Sequence, residues 1–365
     1  MNKNASIALI KGDGIGIDVA DATMEVVSQA LKNAGLPPLD INEIEAGAGL
    51  YRDHGIDIEP DGEERAASAD AIFLGAIGLP SVRKEDGTEI SPHLRLRDRF
   101  QLYAGVRPVK AYPNAPQRLA DPRAAKLDMV ILRESTEGLF YSAAVHQRSH
   151  VQTDDEVQDV LRITRTTTEK LHDFAFRLAQ RRRAKGTKGE VTCVDKANVF
   201  ASMAFFRKIF DERKTAFPDV LTSYAYVDAM ALGLVRNPWD CDVLVMENMF
   251  GDILSDLAGG LVGGMGMAAC AEIGDENGLF QPAHGTAPDI MGQDKANPLA
   301  AILSGALMLD YLGEKLDDRD YADAAASIER AVDSGFAAND LRPMEFGGDM
   351  GTRAVTEAVM THLST

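Results

Sequence analysis

The sequence is short of aromatic side chains, of cysteines and of positive charge. Its 38 Lys and Arg face 56 Asp and Glu, which gives the 365 residues a formal net charge of −18. A nucleic-acid-binding face needs clustered Lys and Arg, so this balance argues against such a partner. The negative charge of the chain also repels anions. A pocket of basic residues in this chain would therefore indicate a specific anionic ligand.

The chain also lacks a long apolar run and a cysteine framework. No stretch of 18 apolar residues occurs, so no membrane span is predicted. The first six residues are polar and lack the charged segment and apolar core of a secretory signal. Cys193, Cys241 and Cys270 are scattered and form no CxxC pair, which favours a reducing compartment. We therefore expect a cytoplasmic protein.

Short apolar strands alternate with amphipathic helices, which predicts an α/β layered fold. Strands are expected near residues 6–10, 41–46, 71–74, 128–134, 190–194, 221–227 and 242–246. Helices are expected near residues 17–34, 61–68, 92–101, 153–183, 197–212, 251–258, 299–313, 318–333 and 352–362. Residues 278–282 are interpreted as a loop. No repeat or flexible linker divides the chain, so any two domains would be interleaved.

Two acids lie four residues apart in a mostly apolar segment. Asp252 and Asp256 would share one face of a helix. Unpaired like charges at this spacing destabilise a helix by roughly 0.2–0.5 kcal/mol, and a divalent cation would reverse that effect. Mg²⁺ and Mn²⁺ prefer carboxylate oxygens. The alternative is a solvated helix face, but the apolar neighbours Phe250 and Ile253 favour a metal site.

Two further charged residues stand beside apolar strands. Lys196 follows the strand that ends at Val194, where burial or a nearby metal would lower its pKa towards the range of a general base. The alternative is a surface pair with Asp195. Asp228 interrupts an apolar passage from strand to helix, where a lone acid would otherwise cap the helix.

Three arginines occupy positions where a surface charge is less expected. Arg107 and Arg133 follow apolar runs, and Arg97 lies in a predicted helix. Guanidinium groups bind carboxylates through two parallel hydrogen bonds. His93 would share a helix face with Arg97 and so meet the same ligand.

A turn in the last third of the chain combines glycine, threonine and proline. The segment from His284 to Asp289 is followed by Asn297, and its backbone N–H groups could hold an adenosine or a phosphate. An acid near the ribose favours NAD over NADP. The turn from Gly12 to Gly16 is not the G-x-G-x-x-G fingerprint, because its third glycine comes too early, so no Rossmann domain is predicted.

Together these segments resemble the β-decarboxylating 2-hydroxyacid dehydrogenases, a family that includes isopropylmalate, isocitrate, homoisocitrate and tartrate/D-malate dehydrogenases. The resemblance covers essentially the whole chain. It is carried by VDKAN at 194–198, YVDAM at 226–230, the stretch 248–267, HGTAPD at 284–289, the spacing of Arg97 and Arg107, and the strand end Arg133-Glu134.

The resemblance implies an isopropylmalate/isocitrate dehydrogenase-like open α/β sheet, distinct from Rossmann, with two interleaved domains. Residues 1–102 plus 264–365 would form a terminal domain on the cofactor side. Residues 103–263 would form a central domain for substrate binding and dimerisation. The homodimer would share its active sites, with Lys196 and Asp228 contributed across the interface.

The resemblance also implies NAD, Mg²⁺ or Mn²⁺, and a small dicarboxylic 2-hydroxy acid as substrate. The implied metal ligands are Asp228, Asp252 and Asp256. The implied substrate-binding residues are Arg97, Arg107, Arg133 and His93. The implied catalytic residues are Lys196, Tyr141 and Asp228. The implied NAD-binding residues are Ile15, His284, Gly285, Thr286, Ala287, Asp289 and Asn297.

Two departures from the family pattern leave alternatives open. The family places a proton-donating tyrosine where this chain has Phe140, and the tyrosine here is the next residue, Tyr141. In an extended chain the two would face opposite ways. Three alternatives follow. Tyr141 would donate the proton to the enol after a backbone adjustment, another acid would donate it, or protonation of the enol would be slow. His93 replaces an apolar contact to the C3 substituent, which leans towards a D-malate or tartrate-type substrate, although His93 could merely pack.

Competing functions differ in what they require of these residues. A non-catalytic regulatory paralogue would have lost metal-binding acids or Lys196, and all are present. An isocitrate or homoisocitrate dehydrogenase is the alternative enzyme, and NADP use is disfavoured by Asp289. The choice between an isopropylmalate-type and a D-malate/tartrate-type substrate stays open.

Overall fold

The computed structural model describes residues 4–145 and 151–364. The strands are β1 (Ser6–Gly12), β2 (Asp40–Glu43), β3 (Ala71–Ala76), β4 (Ala104–Lys110), β5 (Asp128–Glu134), β6 (Val151–Gln152), β7 (Val157–Gln158), β8 (Glu190–Asp195), β9 (Leu221–Tyr226), β10 (Val243–Met246), β11 (Ala269–Ile273) and β12 (Gly278–Pro282). The helices are α1 (Ile15–Asn33), α2 (Ala48–His54), α3 (Gly62–Ser68), α4 (Pro92–Arg99), α5 (Phe140–Val145), α6 (Arg165–Ala184), α7 (Ala201–Arg213), α8 (Val227–Arg236), α9 (Asn248–Leu261), α10 (Leu299–Leu316), α11 (Arg319–Ala337) and α12 (Thr352–Leu363).

The main sheet is mixed and has ten strands, in the order β2-β1-β3-β12-β11-β4-β5-β10-β8-β9. The strands at either side of it pair in parallel. In the middle, β11 is antiparallel to both β12 and β4, and β4 is antiparallel to β5. Two parallel blocks of opposite direction therefore meet at β11 and β4. The predicted α/β open sheet is confirmed.

The two ends of the chain lie in the same half of the sheet. The first three strands form one edge of the sheet, where β3 pairs with β12, and α1 packs against α10, α11 and α12. Helix α10 is buried on nearly all sides, as expected of an apolar helix between a sheet and other helices. The division into 1–102 plus 264–365 and 103–263 stays a prediction. None of the helices in the described ranges combines the length and apolar character that a membrane crossing requires.

Two of the predicted elements are wrong. The helix predicted over 153–183 begins only at Arg165, and residues 151–158 form the small β6–β7 pair. Threonine side chains explain the difference: Thr153 Oγ1 accepts the backbone N–H of Glu156 at 2.9 Å, and the Thr164 side chain caps α6. Such local bonds compete with a continuous helix. The loop predicted at 278–282 is the buried strand β12.

An aromatic cluster joins α6 to α7 beneath the sheet. His172 of α6 is fully buried, and its ring centroid lies 4.5 Å from that of Phe206 and 5.2 Å from that of Phe210. Neither of its ring nitrogens has a hydrogen-bond partner. Burial, helped by the charge of Arg213, lowers the pKa of His172 to about 3. The imidazole is therefore packed as a neutral aromatic ring.

This burial makes stability depend on pH. The folded-state pKa lies below the ordinary value of 6.5, so only the unfolded chain takes up a proton between about pH 6.5 and 3. The free energy of unfolding should therefore fall as the pH falls through that window. The variant His172→Phe has no imidazole and should not show this loss. The difference in free energy of unfolding between the variant and the original protein should therefore change by about 2 kcal/mol in favour of the variant when the pH is lowered from 7 to 5. Urea unfolding at both pH values measures the change, and parallel pH dependences in the two proteins would contradict it.

Candidate active site

The register of the three central strands brings distant residues side by side. Gly105 of β4 is paired with Arg133 of β5 on one side and with Glu272 of β11 on the other. Paired residues share a face of the sheet, and Arg107, two residues after Gly105, shares it too. Arg97 reaches the same place from α4. All three predicted arginines are buried, at 6%, 6% and 3% exposure for Arg97, Arg107 and Arg133.

A carboxylate that the sequence did not single out lies among these arginines. Glu272 is fully buried, with Oε1 2.9 Å from Arg97 Nη2 and 3.6 Å from Arg107 Nη2. Burial alone would raise the pKa of Glu272, but the charges of the arginines outweigh burial and hold it below its ordinary value. Glu272 is therefore ionised. The signal available in the sequence was an acid inside the apolar run 269–273, the same kind of signal that pointed to Arg107.

Arg133 is held by helix α9. Its Nε and Nη2 donate to Asn248 Oδ1 at 2.9 and 2.7 Å, and its Nη1 donates to Asp252 Oδ1. Asn248 is itself buried and donates from Nδ2 to the carbonyl of Glu137 at 3.0 Å. Burial and the neighbouring arginines lower the pKa of Arg133 to about 10, so it stays cationic at neutral pH. Asn248, which sequence reasoning did not assign, is a positioning residue for Arg133.

The acids Asp252 and Asp256 lie on one face of α9, as predicted. Burial raises the pKa of Asp256, and the charge of Asp252 adds to that rise while Arg107 opposes it. Asp252 contacts Arg133, and Asp256, one helical turn further along, lines the same small cavity as Arg107. The hard oxygen donors of the two acids fit a divalent cation such as Mg²⁺ or Mn²⁺. Among the residues described, no three acids, histidines or cysteines gather in a metal-binding cluster, so Asp228 does not join this pair within one chain.

Lys196 and Asp228 form a second, separate group. Lys196 follows β8, and its Nζ donates to Asp228 Oδ1 at the start of α8. The ammonium holds the pKa of Asp228 below its ordinary value. Asp195 is instead buried and paired with Arg207, whose Nε and Nη2 donate to it at 2.6 and 2.8 Å. The alternative of a surface pair between Lys196 and Asp195 is therefore wrong.

The segment around Phe140 is helical rather than extended. Because α5 begins at Phe140, successive side chains there point about 100° apart instead of to opposite faces. The ring of Phe140 lies 4.9 Å from the guanidinium carbon of Arg133. The ring of Tyr141 lies 4.5 Å from the guanidinium carbon of Arg162. Phe140 thus faces the arginine cluster, and the role of Tyr141 as proton donor stays a prediction.

His93 adds an uncharged ring to the same corner of the site. Its Nδ1 is buried without a hydrogen-bond partner. Burial and the charge of Arg97 lower the pKa of His93 to about 3, although Glu272 opposes the shift. The imidazole is therefore neutral at physiological pH.

Three segments far apart in sequence form one wall at the predicted cofactor site. The backbone N–H of Ile15 donates to the carbonyl of Thr286 at 2.7 Å, and Thr286 Oγ1 donates to the carbonyl of Gly78 at 2.6 Å. Gly14 has a φ of 57°, and a Cβ there would lie 2.1 Å from the carbonyl oxygen of Thr286. Only glycine permits this contact.

The remaining predicted cofactor residues lie along the same loop. His284 contacts the carbonyl of Gly285 through Nδ1 at 2.9 Å, and its buried Nε2 has no partner. A Cβ at Gly285 would meet nothing within 4 Å, and Asp289 is exposed. The unpartnered ring nitrogen of His284 and the open space at Gly285 fit a bound cofactor. Ala287 follows with a φ of 34°.

Asn297 is fixed by a residue that sequence reasoning missed. It donates from Nδ2 to Glu345 Oε2 at 2.9 Å, and Glu345 Oε1 accepts the backbone N–H of Gly266 at 3.1 Å. Glu345 therefore ties the glycine-rich segment after α9 to the cofactor loop. Nothing in its surroundings in the sequence signals this contact, because its partners lie far away in the chain.

The geometry agrees with what comparisons with known proteins find. Residues 6–359 match the family model described as isocitrate/isopropylmalate dehydrogenase. The chain belongs to this family. It is 39% identical over 97% of both chains to the 3-isopropylmalate/3-methylmalate dehydrogenase of Methanocaldococcus jannaschii. It is also 39% identical over 98% of both chains to the isocitrate/homoisocitrate dehydrogenase of Thermus thermophilus.

A solved structure supports the same assignment. The isocitrate dehydrogenase from Methylococcus capsulatus superposes with a TM-score of 0.82 at 31% identity, over 99% of this chain and 100% of the other. The family recognised from the motifs is confirmed, as is the prediction that the chain is a dehydrogenase. The relatives' names cover several substrates, so family membership leaves the substrate of this isocitrate/isopropylmalate dehydrogenase family member undecided.

A glycine on α9 lets this family member bring its acids close to Arg133. A Cβ at Gly251 would lie 2.6 Å from Arg133 Cβ and 3.0 Å from its Cα. The variant Gly251→Ala should therefore displace Arg133 and lower stability by about 1–3 kcal/mol. Affinity for a dicarboxylate should fall roughly tenfold to a hundredfold, since small misplacements at a site are costly. Urea unfolding and calorimetric titration measure these effects.

The matched control is Gly260→Ala on the same helix, where a Cβ would meet nothing within 4 Å. This variant should be at least as stable as the original protein, because alanine is the better helix former. Equal behaviour of the two variants would show that α9 does not pack on Arg133 as described.

Proposed function

We propose that this protein catalyses the NAD- and Mg²⁺- or Mn²⁺-dependent oxidative decarboxylation of a 3-substituted D-malate. The observation that carries the proposal is the burial of Arg97, Arg107 and Arg133 together, beside the acids Asp252 and Asp256. Three desolvated cations in a chain of net charge −18 have one evident use, which is to bind a small anion.

The arginines would bind the carboxylates of the substrate. Guanidinium groups suit this task because their planar forks match carboxylate geometry. Arg97 and Arg107 would approach from one side and Arg133 from the other. Asn248 and Asp252 fix the orientation of Arg133 before the substrate arrives. The substrate would thus be held with its C2 hydroxyl towards α9.

Asp252 and Asp256, with Asp228 of a second copy, would hold the divalent cation. When bound, such a cation supplies Lewis-acid polarisation of the C2 oxygen and the neighbouring carboxylate. The acids suit that role because they lie on one face of α9, beside an arginine that would bind the substrate. Lys196 Nζ, from the second copy and in its neutral amine form, would receive the proton of the C2 hydroxyl and become an ammonium.

Ile15, His284, Gly285, Thr286, Ala287, Asp289 and Asn297 would line the cofactor site. NAD, when bound there, supplies the acceptor for the hydride that leaves C2. The exposed carboxylate of Asp289 favours the unphosphorylated ribose of NAD, because it would repel a 2′-phosphate.

The C3 substituent would contact His93. A neutral imidazole beside Arg97 can donate or accept a hydrogen bond, which favours slightly a small polar substituent of the D-malate or tartrate type. A bulky apolar substituent would leave the polar ring unpaired. Isocitrate and homoisocitrate are the second candidates, since the Thermus thermophilus relative is named for them.

A second copy of the chain would complete the site. Large apolar side chains are exposed in the segment that follows β8 and on β9, α8 and α9: Val199, Phe200, Leu221, Leu232, Val235 and Ile253, each at least half exposed. An apolar surface of this extent is typical of an interface between subunits. Lys196 and Asp228 lie on the same segments, which supports a homodimer with shared active sites.

A substrate panel tests the proposed activity. The purified protein with Mn²⁺ and NAD should reduce NAD with at least one of D-malate, tartrate, 3-isopropylmalate and isocitrate, and should release CO₂ in the same assay. NADP should be a poorer oxidant because Asp289 opposes its phosphate. Absorbance of the reduced cofactor measures the first step and evolved CO₂ the second. Absence of turnover with every acid would favour the regulatory alternative.

Complementation between two inactive variants tests the shared site. Lys196→Ala and Asp256→Asn should each abolish turnover as homodimers. If each site takes Lys196 from one copy and Asp256 from the other, a mixed dimer holds one intact site. Co-refolded equal mixtures should then recover roughly a quarter of the original activity, because half of the dimers are mixed. No recovery in mixtures shown to contain mixed dimers would place both residues in one chain's site.

A further inference from the structure

The arginine cluster contains a negative charge that substrate binding does not need. Glu272 is fully buried, and its carboxylate contacts Arg97 and lies near Arg107. A buried carboxylate loses its hydration and must be compensated by its neighbours. In a site that attracts anions, it also offsets one of the positive charges before any ligand arrives.

The sheet leaves space for this carboxylate. Gly105 lies between Glu272 and Arg133 in the register of the three central strands. A Cβ at Gly105 would lie 3.0 Å from Glu272 Oε2 and 2.6 Å from Ser135 Oγ. A larger residue at position 105 would clash with the Ser135 hydroxyl and crowd the Glu272 carboxylate, so the glycine makes room for the acid.

The charges of the site then match a ligand with two carboxylates. Arg97, Arg107 and Arg133 carry three positive charges, and Glu272 offsets one of them. The two acids of α9, one of which contacts Arg133, would be balanced by the divalent cation. His93 is neutral, as its lowered pKa requires. A 2-hydroxy acid with two carboxylates is a dianion and balances this cluster.

A third carboxylate would find no free arginine on α4 beside the site. The next two arginines on α4 are already paired outside it. Arg95 donates to Asp57 through Nη1 and Nη2, both at 2.9 Å, and Arg99 Nη1 donates to Glu63 at 2.6 Å. A third carboxylate would instead meet the neutral ring of His93 and the negative charge of Glu272.

We propose that Glu272 is a specificity-determining residue that restricts the site to 2-hydroxy acids with two carboxylates and rejects those with three. This inference rests on the proposed function, because it assumes that the arginine cluster is the substrate site. It goes beyond that function by assigning the discrimination to one side chain. Glu272 would act through its charge, in addition to holding Arg97 in place.

The variant Glu272→Gln separates charge from position. Glutamine has nearly the same size and can still accept a hydrogen bond from Arg97, but it carries no charge. The measurement is the affinity of the Mn²⁺-loaded protein for D-malate and for isocitrate by calorimetric titration, with kcat and KM for both acids beside it. The original protein should bind D-malate at least about tenfold more tightly than isocitrate. Glu272→Gln should shift the ratio of affinities towards isocitrate by about tenfold or more, since a buried charge acts strongly at short range.

Two further variants exclude a general structural effect. Glu272→Asp keeps the charge and should keep the preference for D-malate, even if it binds both acids more weakly. Asp242→Asn neutralises a carboxylate that is 3% exposed and accepts a hydrogen bond from Arg182 Nε at 2.6 Å, outside the site. It should leave the ratio unchanged. A shift in Asp242→Asn as large as in Glu272→Gln would overturn the proposal.

The outcomes also distinguish a failure of the role proposed for Glu272 from a failure of the proposed dehydrogenase activity. An unchanged ratio in Glu272→Gln, or a preference of the original protein for isocitrate, would overturn the role of Glu272 while leaving the dehydrogenase activity standing. Binding of both acids without any turnover would instead contradict the proposed activity, and the affinity ratio would still decide the role of Glu272.

Discussion

The alignment of Arg133, Gly105 and Glu272 across β5, β4 and β11 is the constraint on which the rest of the site depends. It exists because β4 and β11 are the two strands at which the parallel halves of the sheet meet in opposite directions. Burying three guanidinium groups costs hydration energy that only close partners can offset. Glu272, Asp252 and Asn248 are those partners, and each comes from a different part of the chain or a different turn of α9.

The protein's own side chains satisfy the hydrogen-bond donors of the arginine cluster only in part. The Nε atoms of Arg97 and Arg107 are buried and have no hydrogen-bond partner among the described residues. The lowered pKa of Arg133, at about 10, reflects burial and the repulsion of the other two arginines. A bound dianion would supply acceptors and relieve that repulsion. The fold therefore positions the arginines before a ligand binds. The binding energy would come from the hydrogen bonds that the ligand makes to their unpartnered N–H groups.

Local patterns in the sequence predict the features that depend on residues close together in the chain. Periodicity locates α1, α10 and β5, and ordered motifs identify the arginines, the acids of α9 and the loop at His284. Glu272 could not be assigned because its role comes from a strand register between residues far apart in the chain. Asn248 and Glu345 act through similar long-range contacts. The helix wrongly predicted over 153–183 fails for the opposite reason, since threonine side chains there make short-range bonds that override the apolar spacing.

The start of α5 decides which side chain stands beside the arginines. Phe140 lies against Arg133, and its ring supplies cation–π contact but no proton. Because the chain is helical from Phe140 onward, Tyr141 points about 100° away and packs on Arg162. Tyr141 could reach the place of Phe140 only if the first turn of α5 rotated or unwound, which would break both ring contacts. A protonation step that uses Tyr141 therefore requires a change in the first turn of α5, whereas one that uses another acid leaves Phe140 and Tyr141 where they are. The helix start, rather than the order of two residues in the sequence, is what separates these routes.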